Sequence, residues 1–385
     1  MLSSTLLPSN VRLNPARITL ARERAGLTKA MLAERLGVTP RLLQTYESDG
    51  APAGRANELA ELLGVEPVFF SRDLRAVVAD DQGFFRARRR ATAKQLGAAR
   101  ATATIGAEFY DAIVERFRLP TVHLPDLDNY APEVAADALR SSWGMGTGPL
   151  PNLIQLGEKH GVRVLSLPGE AQTIDAFSLW LDGSPYVFLS TEKTPERSRF
   201  DLAHELGHLV MHSRLEADGR PRRSDRDLEA EADQFASAFL MNKRDILAHA
   251  GREPAIHQIL QLRSRYKTSA MATTKRLFDL EKLSDWSYRQ NCVQLTQRGF
   301  RTGEPGGMPE REASRVISIV IAKLREQGKS IDDLGDELGI PRQELHELTF
   351  GRVAYAIPRP NKAQSAPVSS DASQRPTLRL IPGGK

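Results

Sequence analysis

The chain has 385 residues, 41 % of them hydrophobic and 26 % charged, a composition typical of two or three globular domains with some disordered segments. No apolar run is long enough to span a membrane, and the N-terminus lacks the pattern of a secretion signal, so we expect a cytoplasmic protein without a membrane partner. The single cysteine, Cys292, excludes an internal disulfide framework and any multi-cysteine zinc module. Any metal site must therefore use histidines and carboxylates.

The positive charge of the chain is concentrated near its N-terminus. The net charge is +5, but the first hundred residues alone contain 16 Lys and Arg against 10 Asp and Glu, which gives +6 there and −1 for the rest. A surface that binds phosphate groups is therefore expected in the N-terminal part.

Short helical segments follow a tail, residues 1–14, that we predict to be flexible. Between residues 15 and 72 several segments have apolar residues at helical spacing, with Thr28 and Thr39 as candidate N-caps. So many short helices in under sixty residues predict a compact five-helix bundle.

The segment LTKAMLAERLGVTPRLLQTYESDG is similar to the helix-turn-helix of the phage-repressor-like (XRE) class of regulators. This resemblance implies that residues 15–72 bind DNA, with the recognition helix in the major groove. An alternative is a bundle that has lost DNA binding and serves protein contacts. The residues that the resemblance nominates for base or phosphate contact are Lys29, Thr39, Arg41, Gln44 and Thr45.

A basic, helical connector is predicted for residues 73–103, and an α+β domain with a small sheet for residues 104–250. In this domain VRVLSL reads as a strand, and FSLWLDG with SPYVFLS reads as a hairpin with a tight turn. A helix follows from Thr194 and Pro195, and a second helix is predicted over residues 225–240.

The first of these two helices contains the motif HELGH. His204 and His208 are four residues apart, so both imidazoles can point at one metal ion, and Glu205 lies close enough to hold a water molecule. This is the HExxH pattern of zinc peptidases, in which zinc acidifies water and the glutamate accepts its proton. The alternative is an amphipathic helix with two partly packed histidines.

An open catalytic zinc site needs a third protein ligand. His212 lies on the same helix, but about 6 Å further along its axis, and it is therefore a weaker candidate. The second helix offers Glu229 and Glu231, of which Glu229 has the smaller neighbours one turn on. We therefore predict Glu229 as the third ligand, with Asp233 accepting a hydrogen bond from a ligand imidazole.

The run from the hairpin through RFDLAHELGHLVMH to EAEADQFASAFLM resembles the ImmA/IrrE family of metallo-endopeptidases. The resemblance covers roughly residues 104–245 and implies a zincin-like domain with zinc held by His204, His208 and Glu229. It also implies that Glu205 is the general base. Asn242 departs from the family pattern, which usually has proline after Leu-Met.

Residues 251–355 are predicted to form a C-terminal helical region, and residues 356–385, rich in proline and serine, a disordered tail. The segment SIDDLGDELGIPRQELHELTFG has some features of a helix-turn-helix, but its acidity favours a dimerisation or sensing role over DNA binding. The expected fold class is therefore a multidomain, mainly α chain with a central α+β domain.

Two functional hypotheses follow. The first is a DNA-binding regulator whose zinc endopeptidase domain cleaves a protein such as a repressor. A homodimer is one possible state of this regulator. The second is a transcription regulator whose peptidase-like domain senses a ligand or partner without significant proteolysis.

Overall fold

A computed structural model describes residues 12–74, 92–128, 130–212 and 224–351. These residues are mainly α-helical and contain one three-stranded sheet, so the predicted fold class is confirmed. No helix within these ranges is both long and apolar enough to cross a membrane.

The N-terminal bundle consists of four α-helices and two short 3₁₀ turns. The second turn, Pro67–Ser71, takes the place of the fifth predicted helix. Thr28 and Thr39 act as N-caps as predicted, since their side chains accept hydrogen bonds from backbone N–H groups at 3.2 Å. The helices are α1 (Pro15–Arg24), α2 (Lys29–Arg35), α3 (Pro40–Asp49) and α4 (Ala56–Leu63).

Residues 12–14 belong to this bundle rather than to a flexible tail. The Leu13 N–H donates to the carbonyl of Ala51 at 2.8 Å, and the Leu13 side chain is buried. Asn14 caps α1 through its side chain. The tail predicted for residues 1–14 therefore does not include these three residues. Residues 1–11 lie outside the described ranges, and so does the whole of the tail predicted for residues 356–385.

Helix α5 (Ala93–Val114) is continuous across the domain boundary predicted at residue 103. Residues 75–91 of the predicted connector lie outside the described part of the chain. Gly106 lets α5 lie directly on the sheet, since a Cβ there would be 2.7 Å from Leu165 and 2.8 Å from Phe188. The other side of α5 carries Glu108, which receives two hydrogen bonds, 2.7 and 2.8 Å, from the buried Arg17 of α1. Helix α5 thus joins the N-terminal bundle to the central domain.

Two helices and three strands follow α5 in the central domain. They are α6 (Pro132–Ser142), α7 (Leu153–Lys159), β1 (Arg163–Ser166), β2 (Ala176–Leu181) and β3 (Ser184–Leu189). The sheet has the strand order β1-β3-β2, with β1 parallel to β3 and β2 antiparallel to it. The predicted hairpin is β2–β3, and its two turn residues, Asp182 and Gly183, both have positive φ, as a tight hairpin turn requires.

Helices α8 (Pro195–Met211) and α9 (Asp225–Leu240) pack against each other, and α8 covers the face of the sheet opposite to α5. Their close approach depends on Gly207, because a Cβ at this position would be 2.9 Å from the ring of Phe235. The glycine of the HELGH motif is therefore needed to bring the two site helices together.

The remaining helices contribute to two large cores and to a small third cluster that includes Leu295 and Phe300. They are α10 (Lys243–His249), α11 (Ile256–Tyr266), α12 (Ala270–Asp279), α13 (Asp285–Gln297), α14 (Arg315–Glu326), α15 (Ile331–Leu338) and α16 (Arg342–Leu348). Helices α11 and α12 contribute to the same core as α8 and α9, so the central domain's packing extends past the boundary predicted at residue 250. Helices α14 to α16 contribute to the core of the N-terminal bundle and α5.

Helices α15 and α16 form the C-terminal segment with helix-turn-helix features, and Gly339 in the left-handed region makes the turn between them. Helix α16 is packed within the chain. Glu344 pairs with Arg24 of the N-terminal bundle, and the Glu347 carbonyl accepts a hydrogen bond from Ser166 of the sheet. The segment therefore connects the N-terminal bundle to the central domain, and the dimerisation or sensing role expected from its sequence stays a prediction.

Candidate functional sites

Helix α8 presents the HELGH motif toward α9. The helix begins as predicted, because Thr194 caps it and Pro195 occupies its first turn. Glu205 and His208 are buried and His204 is partly buried, so α8 projects all three side chains inward.

The predicted ligand atoms converge on one point between α8 and α9. The Nε2 atoms of His204 and His208 are 3.0 Å apart, and they lie 3.4 and 3.3 Å from the two carboxylate oxygens of Glu229. Among the described residues, these three form the group of His, Cys, Asp and Glu side chains that is compact enough to hold a metal ion.

These separations fit a tetrahedral zinc ion. Zinc bonds to nitrogen and oxygen are about 2.0–2.2 Å long, so two ligands of a regular tetrahedron are about 3.3 Å apart. The Nε2 atoms of His204 and His208 are 3.0 Å apart, and each lies 3.3 to 3.4 Å from a different carboxylate oxygen of Glu229, close to this spacing. Two imidazoles and one carboxylate are a donor set that zinc accepts, and three protein ligands leave a fourth position open.

The electrostatics of the cluster favour a bound cation. Burial disfavours the protonated form of His204, but hydrogen bonds to Asp233 and Glu229 outweigh it and raise its pKa to about 10. Burial also opposes the charge of Glu229, yet hydrogen bonds from His204 and His208 hold the pKa of this carboxyl well below its usual range. The metal-free cluster is thus an ion pair, in which a bound metal ion would replace the proton of His204.

The Nδ1 atoms of His204 and His208, which point away from the shared metal position, contact Asp233 and His212 respectively. Asp233 has its Oδ1 2.8 Å from Nδ1 of His204. His212 directly follows the last turn of α8 and is buried, with its Nδ1 2.9 Å from Nδ1 of His208. Glu231, the alternative carboxylate ligand considered from the sequence, is 3.1 Å from Nε2 of His212.

Ser178 is a site residue that the sequence did not reveal. Its hydroxyl group donates to Oε2 of Glu205 at 2.7 Å, and the serine is fully buried on β2. The only signal in the sequence is a small polar residue within an apolar strand. Its partner cannot be read from the sequence, because it depends on how α8 lies across the sheet.

The candidate DNA-binding residues lie on one exposed part of the N-terminal bundle. Arg41 and Gln44 are exposed on α3, and the Thr45 hydroxyl donates to the carbonyl of Arg41. Thr39 is exposed and caps the same helix. The ammonium of Lys29, at the start of α2, is 3.2 Å from the carboxylate of Glu47.

Comparison with protein families agrees with both motif resemblances. Residues 18–70 match a helix-turn-helix family model, and residues 157–278 match a peptidase M78 family model described as an IrrE N-terminal-like domain. No curated protein matches the chain at a significant level. The chain therefore joins a helix-turn-helix domain to an IrrE-like domain of a peptidase family, and the latter match begins in α7 and ends in α12.

Proposed function

We propose that this protein is a DNA-binding transcriptional regulator whose central domain is a zinc-dependent endopeptidase acting on a repressor-like regulatory protein. The observation that carries the proposal is the convergence of His204, His208 and Glu229 on one point, next to the buried carboxylate of Glu205. The helix-turn-helix match and the exposed α3 residues support the DNA-binding part.

In this mechanism His204, His208 and Glu229 would hold the zinc ion, and Asp233 keeps His204 oriented. Bound zinc would polarise the scissile carbonyl group and make water more acidic. Glu205 accepts the proton of the attacking water and later delivers it to the leaving amine. The Ser178 hydroxyl donates to Oε2 of Glu205 and so holds the carboxylate in place.

A regulatory substrate is favoured by the way the two domains are joined. The buried ion pair of Arg17 with Glu108 and the pair of Arg24 with Glu344 tie the N-terminal bundle to the rest of the chain. A protein bound to neighbouring DNA would therefore meet the peptidase at a high effective concentration. DNA-bound repressors are such proteins.

The proposal is tested with the Glu205→Gln variant of the full chain. Wild type and variant, both loaded with zinc, are incubated with an extract of the source cells, and new protein N-termini are identified by mass spectrometry. We expect Glu205→Gln to bind zinc at wild-type stoichiometry and to cut about 100- to 10,000-fold more slowly, because it lacks the general base. Glu192→Gln, which removes an exposed carboxylate outside the cluster, is the matched control and should cut normally.

Equal sets of new N-termini from wild type and Glu205→Gln would refute the peptidase mechanism. Zinc binding by the wild type with no cleavage at all would favour the alternative, a regulator whose peptidase-like domain senses a ligand or partner.

A further inference from the structure

A second row of hydrogen-bonding groups lies behind His208, outside the three candidate ligands. The His212 side chain is only 2 % exposed and is placed between two partners. Its Nδ1 is 2.9 Å from Nδ1 of His208, and its Nε2 is 3.1 Å from Oε2 of Glu231. Helices α8 and α9 also pack directly on each other where Gly207 approaches the ring of Phe235.

The proton positions along this row follow from the orientation of His208. Its Nε2 faces Glu229 and His204, so Nε2 must carry a lone pair if it binds a metal ion. The proton of the neutral imidazole is then on Nδ1, which donates to Nδ1 of His212. A histidine that accepts at Nδ1 carries its own proton on Nε2, and this proton is donated to the carboxylate of Glu231.

We infer that His212 and Glu231 are positioning residues that fix His208 in the tautomer that binds metal. This inference rests on the zinc site of the proposed function. Three carboxylates of α9 then have separate roles, since Glu229 would bind the ion, Asp233 orients His204, and Glu231 orients His208 through His212. Glu229 and Asp233 are four residues apart and lie on one side of the helix, whereas Glu231, two residues from each, is displaced around the helix toward His212.

The two orienting partners differ in their access to water. The Asp233 side chain is 65 % exposed, so water can replace it as the acceptor for His204. His212 is almost completely buried, and an apolar residue in its place would leave the N–H of His208 without an acceptor at a site closed to water. Loss of His212 should therefore weaken metal binding more than loss of Asp233.

The test is the zinc affinity of the full chain, measured by competition with a chromogenic chelator. His212→Leu should bind zinc about 10- to 100-fold more weakly than wild type, the range found for outer hydrogen-bonding partners of metal ligands. His212→Asn should recover most of the affinity, because its amide oxygen can accept from Nδ1 of His208. Asp233→Asn and Glu231→Ala should each cost less than His212→Leu. His249→Leu, the same change at an exposed histidine outside the cluster, should have no effect.

A second readout separates positioning from general destabilisation. In zinc-loaded wild type, nitrogen-15 NMR of the imidazoles should show His208 protonated at Nδ1 and His212 protonated at Nε2. Metal-free His212→Leu should melt cooperatively above the temperature of the affinity measurement, so its lower zinc affinity would not reflect unfolding.

Wild-type affinity in His212→Leu and Glu231→Ala would overturn the positioning inference and leave the zinc site intact. Absence of zinc binding by the wild type would overturn the inference and the proposed function together. Wild-type cleavage by Glu205→Gln would refute the proposed mechanism alone, since the affinity measurements do not depend on turnover.

Discussion

The two candidate sites of this molecule are built in opposite ways. The metal cluster is enclosed between α8 and α9, and each of its ligand atoms is within 4.8 Å of the others. The candidate DNA contacts lie side by side on exposed positions of α2 and α3 and do not converge. A convergent, buried site loses its function when one group is removed, whereas an extended surface shares binding among many weak contacts.

The first and largest expected effect tests the convergence of the cluster. Glu229→Ala removes one of three ligands and should weaken zinc binding by more than about 100-fold, beyond the range for outer partners. Dialysis against chelator-buffered zinc measures the affinity. Gln234→Ala, at an exposed position on the same helix, should bind zinc as wild type does.

Unchanged zinc affinity in Glu229→Ala, with loss of zinc in Glu231→Ala, would show that Glu231 and not Glu229 is the third ligand. The convergence of His204, His208 and Glu229 would then not explain zinc binding.

The second prediction concerns Glu158, a buried carboxylate outside both candidate sites, whose effect should be on stability and not on binding. Glu158 is more deeply buried than the metal cluster, and its carboxylate accepts hydrogen bonds from Ser314 and from the backbone N–H groups that begin α14. Burial raises its pKa to about 7, against these hydrogen bonds. The folded chain therefore holds a proton that the unfolded chain has released, and stability falls as the pH rises from about 4.5 to about 7, by about 3 kcal/mol from this group.

Glu158→Gln should remove this part of the pH dependence without affecting zinc or DNA binding. Its amide oxygen can accept from the backbone N–H groups, and its NH₂ group can donate to Ser314. Urea unfolding of both proteins at several pH values measures the difference. An identical slope in the two proteins would mean that Glu158 does not titrate in this range.

The sequence predicted those features that depend on spacing along one helix. The positions of His204 and His208 four residues apart, and of Glu229 and Asp233 on the next helix, already indicated one cluster. Other local patterns predicted the N-caps of α2 and α3, from threonines at helix starts, and the hairpin, from two strand-like runs around a turn.

The sequence did not predict contacts that depend on packing between distant elements. Ser178 reaches Glu205 only because α8 lies across β2, and α16 meets Arg24 from the other end of the chain. His212 is too far along the helix axis to be the preferred third ligand of the ion. Its imidazole nevertheless reaches back to His208, an outer position for which axial distance is no obstacle.

The third prediction concerns the strongest candidate contact on the DNA face. Arg41 is exposed on α3 and can form two hydrogen bonds with a guanine in the major groove. Arg41→Ala should cost about 1–3 kcal/mol, or about 10- to 100-fold, on a duplex selected by the wild type from a random pool, and should relax specificity at one position. Fluorescence anisotropy measures this, with Arg298→Ala, an exposed arginine after α13, as the control.

Equal losses of affinity on the selected duplex and on random DNA would indicate that Arg41 contacts a phosphate. The binding energy of the DNA-binding surface would then be spread over its contacts even more evenly than we propose.

A smaller effect is expected for Ser178, the partner of the proposed base. Ser178→Ala removes one hydrogen bond to a charged group, which contributes about 1.5 kcal/mol or somewhat more. It should lower kcat/KM about tenfold on a peptide that the wild type cuts, with unchanged zinc affinity. Loss of zinc from Ser178→Ala would instead indicate that the serine supports the fold around the ligands.

The smallest effect is expected for Lys29, whose ammonium is shared between DNA and the chain itself. Glu47 lies 3.2 Å away and is also paired with Arg22, so Lys29→Ala leaves this carboxylate with a partner. We expect a loss of a few-fold in affinity and a decrease of about 1 or less in the slope of log K against log salt, because one phosphate contact is removed. Anisotropy titrations between low and physiological salt measure both. A loss as large as that of Arg41→Ala, or a change in base preference, would mean that the DNA face concentrates its binding energy in a few residues, as the metal cluster does.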